Sequence, residues 1–213
     1  NDSRLRRHQI NGGYRWEIQG DPTEGALIVA ATKAGYEEDV LEEKMRRIDE
    51  IPFNSKVRYM VTFNRTSSTE VTAYCKGAPE AILKMCTKII ENGNEKELTQ
   101  QAKDEILKNN YEMANEALRV LAFAYKTIKN EDLEAIKEKI QKGQPELIFI
   151  GLIGMIDPPR AEAKQAVELC EKAGIKVIMA TGDHKLTAQA IAKELGIMKA
   201  DSKVFMGSEL DEI

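Results

Sequence analysis

A lysine and a glycine near the end of a predicted strand are well placed in this chain to do chemistry. The segment 74–80 closes that strand and runs directly into a helix. Lys76 supplies a cation, and Gly77 leaves the backbone open to the approach of a flat ligand. Pro79 and Glu80 suit the first turn of the following helix. We therefore predict that Lys76 and Gly77 line a nucleotide pocket.

Two further residues each have a structural and a binding interpretation. Glu24 follows Asp21 and Pro22 at a helix start, where it completes a capping box or accepts a hydrogen bond from the amino group of adenine. Phe53 stands beside a proline at the start of an extended segment, where it packs in the core or stacks on a base. The local pattern by itself favours the structural interpretation of both residues.

The remaining polar candidates are weak when each is taken alone. Arg58 and Lys76 lie near the two ends of one predicted hairpin, and strand cations usually face solvent. Arg119 stands at a helix end, where it complements the helix dipole. The segment 181–183, Thr-Gly-Asp, follows a predicted strand, at the position where open α/β sheets bind ligands, and suits a phosphoryl group with Mg²⁺. Asp183 is equally well explained as the N-cap of the next helix.

The elements that must position these residues fall into two groups. Before residue 145 the pattern predicts an α+β domain with an antiparallel sheet. Its helices are expected at 21–35, 37–48, 78–86, 99–118 and 130–142, its strands at 14–19, 58–64, 70–76 and 120–126, and an irregular entry at 1–13. The apolar strand 147–155, a helix at 161–173, a strand at 176–180 and a helix at 185–195 form a parallel β-α-β-α unit. We predict two domains, residues 1–145 and residues 146–213.

Composition excludes several classes of function. The 213 residues include 31 basic and 35 acidic side chains. The resulting net charge of −4 gives no reason to expect a nucleic acid or an anionic membrane surface as a partner. Three scattered cysteines without a C-x-x-C pair, and two distant histidines, predict no metal site and a reducing compartment. The longest apolar run, at 147–156, is too short for a membrane helix. Because the first residue is Asn1, we expect the chain to be part of a longer one.

Six segments in order resemble the type II cation-transporting P-type ATPases, the group that includes calcium pumps. These segments are residues 20–27, 53–60, 76–80, 118–122, 157–160 and 181–183. The resemblance implies that residues 1–145 form a nucleotide-binding domain with flanking helices. It also implies that residues 146–213 are part of a phosphorylation domain with a haloacid-dehalogenase-like, Rossmann-type α/β fold.

The resemblance assigns roles to individual residues. Phe53 would stack on adenine, and Glu24 would bond its amino group. Arg58 would meet the phosphates, and Arg119 would reach the phosphates or the ribose. The pocket wall would be formed by Met60, Lys76, Gly77 and Ala78. The phosphorylation site would include Thr181, Gly182 and Asp183, and the domain hinge would include Asp157 and Arg160.

The departures from the family pattern limit these expectations. The Asp-Lys-Thr-Gly-Thr motif with the nucleophilic aspartate, the Gly-Asp-Gly-x-Asn-Asp motif that helps to hold Mg²⁺, and the membrane helices are absent from these 213 residues. We expect a soluble fragment that binds ATP without phosphorylating itself. The full-length protein would use ATP and Mg²⁺, transport a cation, Ca²⁺ by first choice, and contain this fragment as a cytoplasmic domain of an integral membrane protein. A stand-alone haloacid-dehalogenase-like phosphatase using Asp183, and an ATP-sensing module, are the alternatives.

Overall fold

The computed structural model describes residues 3–10, 13–116, 118–156, 159–181, 185–199, 201–206 and 209. The chain forms two compact units. One comprises Asn1–Leu98 and Ala122–Gly151, and the other comprises Thr99–Leu121 and Leu152–Ile213.

A mixed seven-stranded sheet forms the centre of the α+β fold. Its strands are β3 (Arg47–Asn54), β4 (Tyr59–Arg65), β5 (Glu70–Gly77), β6 (Cys86–Glu91), β7 (Asn94–Glu97), β8 (Arg119–Lys129) and β9 (Leu147–Met155), in the spatial order β3-β4-β5-β8-β9-β6-β7. The β3–β4, β4–β5, β5–β8 and β6–β7 pairs are antiparallel, as expected for a chain of hairpins. The β6–β9 pair is parallel, so the prediction of a purely antiparallel sheet is wrong.

A two-stranded ribbon precedes the first helix. It consists of β1 (Arg4–Ile10) and β2 (Gly13–Gln19), paired antiparallel. The strand at 14–19 is therefore confirmed, whereas the irregular entry predicted at 1–13 is wrong. The polar residues of β1 gave no apolar alternation, and the strand is defined by its partner rather than by burial.

Four helices accompany the strands of the first unit. They are α1 (Pro22–Lys33), α2 (Glu38–Lys44), α3 (Pro79–Met85) and α5 (Leu133–Gln141), with a short 3₁₀ turn at Asn130–Asp132 before the last. The helix predicted at 37–48 ends earlier, because Arg47 pairs with Asn64 of β4 at the start of β3. Tertiary pairing thus outweighs a helix propensity that is weak at this point.

The core lies on one face of β4 and β5. Val61, Phe63, Val71 and Ala73 are completely buried there, at alternate positions of the two strands. The Tyr59 hydroxyl, from the same face, donates to the carbonyl of Ile140 in α5 at 3.1 Å. Helix α5 therefore covers this face near the end of the sheet that carries Tyr59.

Strands β6 and β7 were missed because no clear apolar alternation marks this hairpin in the sequence. All four residues of β7 are exposed, so no apolar alternation marks it. Two cross-strand ion pairs join the hairpin, Lys88–Glu95 at 2.9 Å and Lys96–Glu91 at 2.6 Å. Opposite charges across an antiparallel pair stabilise it modestly. Asn92 and Gly93 form the turn of this hairpin.

The second unit contains α4 (Gln100–Asn115), α6 (Ala161–Lys172) and α7 (Lys185–Glu194). The helices predicted in these regions are confirmed, with α4 capped by the Thr99 hydroxyl. The strand predicted at 176–180 is wrong, since these residues form no strand. Its expected neighbour β9 already has β8 on one edge and β6 on the other. A parallel strand needs a free edge to satisfy its backbone groups.

An ion pair between β3 and α5 is expected to make the stability of the fold depend on pH. Lys137 Nζ donates to Asp49 Oδ2 at 2.6 Å, and this bond, followed by one from the Glu50 amide, lowers the pKa of Asp49 from its ordinary value of 3.8. A carboxyl group whose pKa is lowered by folding stabilises the fold at pH values above its unfolded-state pKa. This contribution is lost as the pH falls through the folded-state pKa. We expect Asp49→Asn to lower the free energy of unfolding at pH 7, and to differ progressively less from the parent below about pH 4. Urea unfolding at pH 7, 5, 4 and 3 measures this, and a constant difference would contradict it.

Candidate functional site

The N-terminus of α1 holds Glu24 in place. The Asp21 carboxylate accepts hydrogen bonds from the amides of Thr23 at 2.8 Å and Glu24 at 3.2 Å, and Pro22 occupies the first helical position. The sequence pattern predicted this cap. The cap fixes Glu24 in the first turn, with its side chain directed by the local helix geometry.

Glu24 and Lys76 form a partly buried ion pair. Lys76 Nζ donates to Glu24 Oε1 at 2.7 Å across 52 positions of sequence, and their side chains are only 15% and 16% exposed. The solvent-facing interpretation of Lys76 is therefore wrong. Glu24 does more than begin its own helix, because its carboxylate meets the sheet. The structure thus brings together two of the predicted site residues.

Strand register shows what surrounds Lys76. Met60 on β4 and Phe123 on β8 are its direct cross-strand partners, so the three side chains share the face opposite the core. Met60 is 6% exposed and Phe123 is half-buried, which gives Lys76 an apolar floor. Phe123 was not a predicted site residue. The alternation of residues 121, 123 and 125 put it on one strand face, but the sequence did not identify that face.

Gly77 is required by the sheet itself. A Cβ at this position would lie 2.4 Å from the Arg58 carbonyl oxygen and 2.7 Å from Tyr59 Cα. The Arg58 carbonyl also accepts a hydrogen bond from the Ala78 amide at 2.9 Å. This close approach is a packing reason for the glycine that we did not predict, and the access it gives to a flat ligand stays a prediction. The close neighbour of Gly77 is the backbone of the adjacent strand.

Arg58 belongs to the turn between β3 and β4 and not to a strand. Its φ is +61°, in the left-handed region that non-glycine residues rarely adopt. Its amide donates to the Asn54 carbonyl at 2.7 Å, and its guanidinium lies 3.9 Å from the Glu80 carboxylate. Both of these side chains are about half exposed, so the pair contributes little to stability. The turn presents the Arg58 guanidinium to solvent.

Phe53 lies at the exposed end of β3. Its side chain is 62% exposed, so the core interpretation that the pattern favoured is wrong. The register pairs Asn54 with Tyr59 and Tyr59 with Gly77, which puts Phe53, Arg58 and Lys76 at the same end of the sheet. Two inter-strand spacings separate β3 from β5, roughly 10 Å. One end of the sheet therefore carries an exposed aromatic ring, a partly buried ion pair and an exposed guanidinium.

The other predicted residues lie elsewhere or are not described. Arg119, Arg160 and Thr181 belong to the second unit, where Arg160 precedes α6 and Thr181 is exposed. Arg119 is the first residue of β8, so its expected position at a helix end is wrong. Asp157, Gly182 and Asp183 lie outside the described residues. Within the described part of the chain, no cluster of three His, Cys, Asp or Glu side chains could hold a metal ion. No described helix is both long enough and apolar enough to cross a membrane.

The Glu24–Lys76 pair is expected to be worth more than an exposed pair. We predict that Lys76→Met lowers the free energy of unfolding by about 1–3 kcal/mol, because Glu24 then loses this cation in a partly buried position. Lys96→Met, which breaks the exposed pair with Glu91, is the matched control and should cost less than about 1 kcal/mol. Denaturant unfolding measures both variants. Equal costs would show that burial does not matter here.

Comparison with known proteins gives consistent results. A family model described as P-type ATPase, cytoplasmic domain N, matches residues 1–162. The chain is 45% identical to calcium-transporting ATPase 1 of Bacillus cereus over 206 residues, 95% of this chain and 22% of that protein. It is 43% identical to cation-transporting ATPase pma1 of Synechocystis sp., over 99% of this chain and 22% of that protein. It is 38% identical to the sodium/potassium-transporting ATPase subunit alpha of Drosophila melanogaster, over 85% of this chain and 18% of that protein. The chain thus spans about a fifth of the length of these relatives.

Proposed function

This chain belongs to the P-type ATPases, and from that premise we propose that it binds ATP as part of a cation pump. The observation that supports this most strongly is that the Glu24–Lys76 pair lies at the same end of the sheet as the exposed Phe53. The two charged groups are 2.7 Å apart. A nucleotide needs a stacking surface, a hydrogen-bond acceptor for the base and cations for the phosphates. This end of the sheet offers all three.

The base is proposed to lie between Phe53 and the Glu24–Lys76 pair. Phe53 stacks on adenine, and Glu24 accepts from the adenine amino group. A carboxylate has about four acceptor positions, so the bond from Lys76 does not exhaust its capacity. Met60 and the alkyl part of Lys76 form the apolar wall, together with the backbone of Gly77 and Ala78.

The phosphates are proposed to lie toward Arg58, whose guanidinium is exposed at the turn. Arg119 is proposed as a second phosphate ligand. In the full-length protein ATP would react with Mg²⁺ bound, at a site to which Thr181, Gly182 and Asp183 contribute, with Asp157 and Arg160 near the hinge. The nucleophilic aspartate is absent from these 213 residues, so we expect this chain to bind ATP without forming an aspartyl-phosphate.

The parent protein is proposed to be an integral membrane ATPase that transports a cation on the energy of ATP. This chain would be part of its cytoplasmic region, with residues 1–145 as the nucleotide-binding domain and residues 146–213 as part of a haloacid-dehalogenase-like phosphorylation domain. Ca²⁺ is the first choice of cation because several relatives are named calcium-transporting ATPases. Sodium and potassium are the alternative cations, because other relatives are named for them.

An amide NMR titration with ATP tests the proposal. We expect saturable shift changes concentrated at Glu24, Phe53, Lys76 and Gly77. Shift changes that are absent or lie elsewhere would refute the site.

Inosine triphosphate sharpens the test, because it presents a carbonyl where ATP presents the amino group. It should bind about tenfold more weakly than ATP, since an acceptor then faces the Glu24 carboxylate. Glu24→Gln should reduce this discrimination, because the amide offers a donor as well as an acceptor. Equal affinities of the parent chain for the two nucleotides would remove Glu24 from the base-recognition role.

A further inference from the structure

A second polar groove lies at the opposite end of the β4–β5 hairpin. It has a volume of about 230 Å³ and is lined by seven residues, Glu43, Lys44, Arg46, Arg65, Thr66, Ser67 and Ser68, called here the basic groove. Strand β4 is 7 residues long, so the basic groove lies about 20 Å from the end of the sheet that carries Lys76. It is therefore separate from the proposed nucleotide site.

The backbone holds two arginines side by side in the basic groove. The Arg65 amide donates to the Arg46 carbonyl at 2.9 Å, so the two residues lie opposite one another on neighbouring chain segments. Like charges opposite one another on paired segments are destabilising. Lys44 adds a third cation nearby, whereas Glu43 is the one acid among the lining residues.

The three cations of the basic groove exceed the acidic charge of its lining, which comes from Glu43 alone. Among the residues with described placement, neither Lys44 nor Arg46 nor Arg65 forms an ion pair. This arrangement occurs in a chain whose net charge is −4, with 35 acidic residues against 31 basic ones. Charge pairing is common elsewhere on this surface, as the Lys88–Glu95 and Lys142–Glu138 pairs illustrate. The uncompensated cations therefore point to an anion from outside the chain.

The loop that completes the basic groove is ordered by its own hydrogen bonds. The Ser67 hydroxyl accepts from the amides of Thr69 at 3.3 Å and Glu70 at 3.1 Å, and the Thr66 hydroxyl lies 3.3 Å from that of Thr72. Because these bonds fix the loop, Ser68, which is exposed and lines the groove with the two arginines, needs little further ordering to bind a ligand.

We propose that the basic groove binds an oxyanion of the phosphate class. Two guanidinium groups match the oxygens of a phosphate with paired N–H donors, and Lys44 and Ser68 supply additional donors. The phosphate group is either free or carried on a lipid headgroup. The volume of about 230 Å³ is large enough for a phosphate with part of its hydration shell.

Amide NMR titration with inorganic phosphate tests this proposal. We expect saturable shift changes at Arg46 and at residues 65–68, an affinity that falls as salt concentration rises, and about tenfold weaker binding in Arg46→Gln/Arg65→Gln. Lys84→Gln, which removes an exposed cation from α3, is the matched control and should bind phosphate as the parent does. Absence of saturation, or equal binding by the double variant, would overturn the proposal.

Two further arms identify the source of the phosphate and test the ligand class. Binding to phosphatidate-containing vesicles that is lost in the double variant, with no binding to neutral vesicles, supports a lipid headgroup. Tighter binding of an oligoglutamate peptide than of phosphate overturns the assignment to phosphate. ATP shifts at Glu24 and Phe53 should persist in the double variant, so failure of this proposal is distinguishable from failure of the nucleotide site.

Discussion

Gly77→Ala is expected to lower the free energy of unfolding by about 3 kcal/mol, at the upper end of what overpacking usually costs. The added methyl group would meet the Arg58 carbonyl oxygen at 2.4 Å and Tyr59 Cα at 2.7 Å. Both are backbone atoms, which move only if the end of β4 separates from β5. That movement would also strain the hydrogen bond from the Ala78 amide to the Arg58 carbonyl.

Gly151→Ala is the matched control for this experiment. A Cβ at Gly151 would have nothing within 4 Å, and the residue is also in a strand, β9. We expect this substitution to change stability by less than about 0.5 kcal/mol. Denaturant unfolding followed by circular dichroism measures both variants. A similar small effect of the two substitutions would show that the end of the hairpin relaxes easily.

Phe53→Ala is expected to weaken ATP binding by about 1–3 kcal/mol, the range measured for aromatic stacking on a base. This corresponds to a loss of roughly 5- to 150-fold in affinity. Because the side chain is 62% exposed, the same substitution should change the free energy of unfolding by less than about 1 kcal/mol. The combination of a large binding effect with a small stability effect distinguishes a stacking residue from a core residue.

Two variants control the Phe53 experiment. Phe53→Trp keeps a planar ring and should retain most of the affinity. Tyr111→Ala removes a similarly exposed aromatic side chain, 58% exposed on α4, and should leave ATP affinity unchanged. Isothermal titration calorimetry measures all three. Unchanged affinity in Phe53→Ala would remove this residue from the proposed base site.

Elements with strong local signals were predicted well. The start of α1 was predicted because the Asp21 cap, the following proline and the apolar run act within a few residues of one another. The β4–β5 hairpin was predicted for the same reason, since two alternating segments flank a short polar loop. Its Tyr59–Gly77 end was also placed within a residue of its true position.

Long-range pairing accounts for the errors in the fold. Strand β6 lies parallel to β9, about 60 residues later, and no local pattern predicts such a partner. The segment 176–180 is apolar enough for a strand, yet β9 has both edges occupied and the segment forms none. Backbone hydrogen bonds need a partner strand, and only the tertiary structure decides which edges are available.

The chemistry of the site divides in the same way. The sequence determined the types and order of the site residues and, through the resemblance, the family that the family model matches at residues 1–162. Only the tertiary structure decided that Phe53 is exposed, that Glu24 and Lys76 meet across 52 positions, and that Gly77 faces a neighbouring backbone. Residue types fix what a side chain is able to bind, whereas burial, partners and clearances depend on which distant segments the fold brings together.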